Sequence, residues 1–195
     1  MSTLEIISTV LGIWSYIEII RRKARGLVIG FIAALLLACL FYQLRLYSDM
    51  GLMLYYAVAS LTALFFWRRA FRENHTIQIT RLNLRTHRML LVGIPLAIGL
   101  LAVIASHLHL WLPALFPEAA RIPLGDATTT VLGITASVLI IRRKVEAIAF
   151  WLIGDILSTL IYARSGIYFL ASVYIAYVLI DAAGLLIWTR RLRNS

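Results

Sequence analysis

The chain has 195 residues, of which 62% are hydrophobic and 14% charged, against roughly 25% charged in soluble domains. With a mean hydropathy of +0.88, this excludes an ordinary soluble domain and defines a polytopic, all-α membrane protein. The net charge of +10 would suit a nucleic-acid binder, but the basic residues sit between apolar runs, as the positive-inside rule requires, so no nucleic-acid partner is expected.

A membrane span needs about 17–25 mostly apolar residues. Seven segments meet that requirement: Leu4–Ile20, Leu27–Leu44, Gly51–Trp67, Met89–Leu112 with a bend expected at Pro95, Ala127–Ile141, Glu146–Ala163 and Tyr168–Trp188. The first carries its basic cluster, Arg21-Arg22-Lys23, behind it rather than before it, which argues against a cleavable signal peptide. The single cysteine, Cys39, allows no disulfide within the chain and reads as a small core hydrophobe. The basic stretch Arg68–Arg88 reads either as a loop or as an interfacial helix on anionic lipid. Pro113–Leu124, with three prolines, should be irregular. The segments after spans 1, 3 and 5 and the C-terminal tail hold 16 of the 19 basic residues, leaving Arg45, Arg121 and Arg164 on the opposite side. That bias places the N-terminus outside and the C-terminus in the cytoplasm.

The chain repeats itself. Shifted by 121 residues, Ser8–Arg72 lies on Thr129–Arg193 without a gap. Thr9-Val10-Leu11-Gly12-Ile13 matches Thr130-Val131-Leu132-Gly133-Ile134, and Ile19-Ile20-Arg21-Arg22-Lys23 matches Ile140-Ile141-Arg142-Arg143-Lys144. Tyr56 falls on Tyr177 and Trp67 on Trp188. Three spans per repeat would invert the second copy, and the fourth span restores its direction. The expectation is a 3-1-3 plan with two parallel three-helix repeats, residues 1–72 and 126–195. Residues 73–125 supply the basic cytoplasmic loop, linker helix and external loop. Parallel repeats of this kind are a transporter architecture, with substrate bound between them near the midplane.

An asymmetric ligand should be recognised where the copies diverge. Trp151, Asp155, Ser158 and Thr159 fall on Gly30, Ala34, Leu37 and Ala38, while Tyr174 falls on Met53 and Asp181 on Ser60. In the other direction, Trp14 falls on Thr135 and Glu18 on Leu139. Acids at membrane depth are costly and mark ligand paths. Trp151, Asp155, Ser158, Thr159 and Tyr162 share one helix face, and Tyr174, Tyr177, Asp181, Gly184 and Trp188 another. The candidate substrate site is therefore Trp151, Asp155, Thr159, Tyr174, Tyr177 and Asp181, with Trp14 and Glu18 from span 1 and Tyr56 and Ser60 from span 3. Aromatic planes with carboxylates suit a flat cationic or hydrogen-bonding ring.

Several polar residues have plainer explanations. Trp67, Trp188 and Tyr47 read as interfacial anchors. Glu5 and Asp126 coincide under the repeat and complement helix dipoles. Glu18, three residues before Arg21, can form a salt bridge as readily as bind a ligand. Asp155 and Asp181 could instead be neutral acids serving helix packing. His107 and His109 point to different faces and do not make a metal pair. No nucleophile–base pair, phosphate loop or metal cluster is present in the pattern, so neither enzyme activity nor a cofactor is expected.

Three motifs carry a family resemblance across nearly the whole chain: Leu46-Tyr47-Ser48-Asp49 followed by Gly51-Leu52, its counterpart Gly166-Ile167-Tyr168, and Phe150-Trp151-Leu152-Ile153-Gly154-Asp155. The chain resembles the PnuC-type vitamin transporters, bacterial inner-membrane proteins best known for nicotinamide riboside uptake. The last motif is similar to the family's Trp-x-x-x-Asn substrate motif, with Asp155 in place of Asn; the family's aromatic run before Trp67 is Thr62-Ala63-Leu64-Phe65-Phe66 here. The resemblance implies a fold related to SWEET sugar transporters. It also implies facilitated diffusion of a water-soluble, ring-containing vitamin by alternating access. Substrate would be trapped by a cytoplasmic kinase. Nicotinamide riboside leads, thiamine, riboflavin or a nucleoside is the alternative, and a homo-oligomer in the bilayer is compatible. The rival class is a non-transporting scaffold or sensor, which would pack the polar faces of spans 6 and 7 without a cavity.

Overall fold

A computed structural model describes residues 3–43, 47–74, 78–114, 119 and 122–193. It contains seven helices: α1 (Thr3–Ile20), α2 (Arg25–Gln43), α3 (Tyr47–Asn74), α4 (Leu84–Trp111), α5 (Pro123–Ile141), α6 (Glu146–Arg164) and α7 (Tyr168–Arg193). Five stretches are long and apolar enough to cross a membrane, Met50–Arg72 and the whole of α4, α5, α6 and α7, and Arg25–Leu40 is a shorter apolar helix. Among the described residues the β-structure is a single bridge, Thr80 to Lys144. Leu46, Pro117, Arg45 and Arg121 lie outside the described residues.

Two helix trios make up the body. In the first, α2 packs against both α1 and α3; in the second, α6 packs against both α5 and α7. The trios meet through α3 on α5 and α1 on α7, and α4 packs on α5 with none of its residues buried. All the helices exceed the expected spans, and α3, α4, α5 and α7 do so by at least a helical turn. α3 continues past Trp67 to Asn74 and α4 begins at Leu84, so the basic stretch Arg68–Arg88 is mainly helix ends rather than a separate loop or interfacial helix. The arginines beyond Trp67 are good helix formers and complement the C-terminal end of the α3 dipole. The Asn83 side chain accepts from the Thr86 N–H at 2.8 Å, an N-cap that fixes the start of α4. α4 runs through Pro95 unbroken.

The repeat is visible in backbone detail. Arg22 and Arg143, 121 positions apart, adopt left-handed φ values of 62° and 58°. Lys23 N–H donates to Glu18 O and Lys144 N–H to Leu139 O, each at 2.9 Å. Both first helices therefore end in the same reverse turn, which caps carbonyls left open at a helix C-terminus.

The two trios are latched at that end. Trp67 and Trp188 are both fully buried, at 0% exposure. The Trp67 indole N–H donates to Ile140 O at 3.1 Å, and that of Trp188 to Ile20 O at 2.8 Å. Each tryptophan thus bonds a carbonyl at the end of the other trio's first helix; Ile140 O also accepts the Arg143 N–H at 2.9 Å, while Ile20 lies in the last turn of α1, where the helix supplies no donor. This corrects the reading of Trp67 and Trp188 as interfacial anchors: proximity to arginines in sequence suggested an interface, but their rings are the centre of a core cluster with Ile19, Ile20, Ile140 and Ile148. A strap covers the same end. Thr80 N–H donates to Arg143 O at 3.0 Å, Val145 N–H to Thr80 O at 3.1 Å, and Leu82 N–H to Glu146 Oε1 at 3.0 Å. Ile79 and Leu82 pack onto the cluster beneath it. Cys39 is a second correction: it is exposed on the outer face of α2, where in a bilayer a small apolar side chain meets lipid rather than core.

Candidate functional site

A cavity of about 230 Å³ lies between the trios, walled by α1, α2, α3, α5, α6 and α7. Its two sides differ as the repeats do. α2 contributes Gly30, Ala33, Ala34 and Leu37, and α6 contributes Trp151 and Asp155. Small residues in one copy make the room, and their enlarged polar counterparts in the other copy line it.

Six of the ten expected site residues meet at this cavity: Tyr56, Ser60, Trp151, Asp155, Tyr174 and Tyr177. Asp181 stands directly behind the wall, fully buried at 0% exposure, with Asp155 as its acidic neighbour. Three residues lie elsewhere. Trp14 is 49% exposed on the outer side of α1, because a residue two positions from the inward-facing Tyr16 points away from it. Glu18 is buried among cations, 2.5 Å from Arg25, 3.6 Å from Arg21 and 4.0 Å from Lys23, so it ties down the α1–α2 turn. The Thr159 hydroxyl donates to Asp155 O at 2.8 Å, a bond within its own helix that leaves it off the cavity wall.

Tyr16 is the residue sequence reasoning missed. Its hydroxyl donates to Asp181 Oδ1, joining α1 to α7. Its ring meets Trp151 edge-on at 5.2 Å and Tyr177 at 6.0 Å, and Tyr177 meets Tyr174 at 6.0 Å. Such tilted contacts are the favoured aromatic geometry, and they hold four rings as one surface. A signal was available: under the 121-residue shift Tyr16 falls on Ser137, a divergence of the same kind as the others, and both residues line the cavity.

Two pseudo-equivalent contacts frame the site. Tyr177 reaches across to Gly12 of α1, where a Cβ would lie 2.6 Å from its hydroxyl, and Tyr56 reaches across to Gly133 of α5, where a Cβ would overlap its hydroxyl. Glycine here permits close approach of ring to backbone. Gly133→Ala is expected to destabilise the protein by about 1–3 kcal/mol, the cost of an overpacked contact. Tyr56→Phe in that background should recover much of the loss, since it removes the clashing oxygen. Thermal unfolding of the two variants checks this, and additive losses would place the strain elsewhere.

The cavity wall has aromatic faces, hydroxyls and one carboxyl, and among the described residues no Arg, Lys or His lines it. Nor do those residues contain a cluster of three or more metal-ligating side chains. A polar aromatic chamber between two trios of apolar helices is the site of a membrane transporter. It also counts against a scaffold or sensor with packed polar faces.

The family model described as nicotinamide mononucleotide transporter matches residues 2–190, and the chain belongs to that family. It is a multi-pass membrane transporter, not an enzyme. The nicotinamide riboside transporter PnuC of Escherichia coli (strain K12) is 26% identical over 212 residues, covering 100% of this chain and 88% of that protein. The protein of the same name from Neisseria mucosa is 25% identical over 203 residues, covering 99% of this chain and 74% of its own length. A crystal structure of the vitamin B3 transporter PnuC superposes with a TM-score of 0.77 at 22% identity, covering 98% of this chain and 82% of that one, which shows the shared fold.

Proposed function

We propose that this chain carries nicotinamide riboside across the membrane, bound in the cavity between the trios. The observation that carries the choice is the charge of the lining: a carboxyl among aromatic rings, with no cation. The riboside is a flat monocation, and Trp151, Tyr177 and Tyr56 supply faces for stacking and cation–π attraction. The mononucleotide in the family's description bears a phosphate dianion. Buried phosphate needs Arg, Lys or a helix N-terminus, and the lining offers neither Arg nor Lys. The volume, below the roughly 300–1,000 Å³ of sites for drug-sized ligands, also suits a nucleoside. The relatives named as riboside transporters support the same reading over thiamine, riboflavin or other nucleosides.

The mechanism we propose is facilitated diffusion by rocking of residues 1–72 against residues 126–195, with 73–125 as the linker. The Trp67–Trp188 latch closes one end. By the distribution of basic residues that end faces the cytoplasm, with the N-terminus outside, in an inner membrane. Substrate would then be trapped by a cytoplasmic kinase, and a homo-oligomer is compatible with the lipid-facing α4.

The test is ligand-induced thermal stabilisation of the purified protein, since a ligand that binds the folded state raises apparent stability by mass action. Nicotinamide riboside should shift the melting temperature, while nicotinamide mononucleotide and thiamine should not. Asp155→Ala should weaken riboside binding by about tenfold or more, the loss of one buried hydrogen-bonding contact, with normal membrane insertion. Undiminished affinity would remove Asp155 from the site, and stabilisation by thiamine alone would replace the substrate.

A further inference from the structure

Asp181 is held in an unusual way for a carboxyl group with no exposed surface. Its Oδ1 accepts the Tyr16 hydroxyl, whereas its Oδ2 is buried with no conventional donor among the described residues. The acidic group that neighbours it is the Asp155 carboxyl of α6. An ionised carboxylate has only acceptor sites, so two of them cannot bond to each other; a proton on one makes the bond possible. Two adjacent ionised carboxylates also repel strongly where water is scarce.

Among the described residues no cation lines the cavity to relieve that repulsion. The titratable side chains facing the pair are phenols: Tyr16 from α1, Tyr56 from α3 and Tyr177 from α7. From α6 itself the neighbour is the indole of Trp151, and among the described residues no Arg, Lys or His lines the cavity. The ion pair at the α1–α2 turn is self-contained, with Arg25 bound to Glu18.

We propose that Asp155 and Asp181 share one proton, so that the transport cavity holds a single negative charge on a carboxyl pair. Asp181 accepts two bonds, from Tyr16 and from Asp155, and keeps the charge. Asp155 carries the proton and turns its remaining oxygen to the cavity as an acceptor. The pair is thereby matched to a monocation: one charge, held deep, behind a neutral acid that can bond the ligand's hydroxyl or amide groups. The inference rests on the cavity being the substrate site, and its test separates the two.

Infrared difference spectroscopy of the purified protein at neutral pH reads the proton without any ligand. A protonated carboxylic acid band, shifted in heavy water, should be present in the parent protein and absent from both Asp155→Asn and Asp181→Asn, because an amide donates the same bond and leaves one ionised partner. Absence of the band in the parent, or its survival in either variant, overturns the proposal. In binding assays Asp155→Ala should lose about tenfold or more in affinity, and Asp155→Asn, which keeps an acceptor oxygen toward the cavity, should lose clearly less. A fall in Asp155→Asn as large as that in Asp155→Ala means that Asp155 works as an ionised contact, and also overturns it. Should Asp155→Asn fail to fold, the parent band and Asp181→Asn still decide. The predicted band pattern in a protein that binds no riboside upholds the shared proton and overturns the riboside reading alone.

Discussion

Trp188→Ala should be the most damaging single change to stability, at about 3–5 kcal/mol, the usual cost of emptying a buried tryptophan site. Trp188 has no exposed surface, and its removal takes away both the ring and the hydrogen bond to Ile20 O. That carbonyl sits at the end of α1, where the helix offers it no N–H of its own. Trp188→Phe should cost less, keeping most of the ring but losing the bond, worth about 1 kcal/mol net. Trp67→Ala should behave like Trp188→Ala, because it makes the reciprocal contact to Ile140 O. Tryptophans that merely anchored the protein at the lipid surface would cost only about 0.5 kcal/mol on truncation. Thermal unfolding in detergent distinguishes the two: a melting temperature unchanged in both alanine variants would restore the anchor reading.

The difference between anchor and latch marks what a one-dimensional pattern can and cannot reveal. Apolar length located the helices, and the identities at a 121-residue offset located the register of the repeat, because both are properties of neighbouring residues. Divergence between the copies then found Trp151, Asp155, Tyr174 and Ser60, and the polar helix face added Tyr177 with its repeat counterpart Tyr56; all six line the cavity. These stand out because polarity inside an apolar helix is costly and has to face something other than lipid. The pattern gave faces but not partners. Tyr16 meets Asp181 across 165 residues, and nothing local to either residue announces the pairing. Trp14 and Glu18 were drawn in by the same divergence test, yet one faces outward and the other is bound by the cations that follow it in sequence. The strap at Thr80 was illegible for a similar reason: its two central bonds run backbone to backbone, from Thr80 to Arg143 and from Val145 to Thr80, and no residue type announces them.

Removing both carboxyls should change ligand choice more than removing either one. In Asp155→Asn the buried Asp181 keeps its charge, with the new amide donating to it. In Asp181→Asn the charge moves to Asp155, which lines the cavity and can accept from the new amide. Each single variant therefore still holds one negative charge, and each should still prefer the cationic riboside to its reduced dihydro form, which is neutral and nearly the same shape. The double variant holds none. At an effective dielectric of about 20, a unit charge about 6–8 Å from the pyridinium is worth roughly 2–3 kcal/mol, so affinity for the cation should fall about 30- to 100-fold. Affinity for the neutral form should change by less than about threefold, since the amides keep the shape and the hydrogen bonds. A residual preference of about 0.5–2 kcal/mol from the aromatic faces would remain. Competition binding with the two forms measures this directly. If the double variant kept the full preference, the rings rather than the carboxyl pair would be selecting the charge; if either single variant lost it entirely, the two acids would not be sharing one.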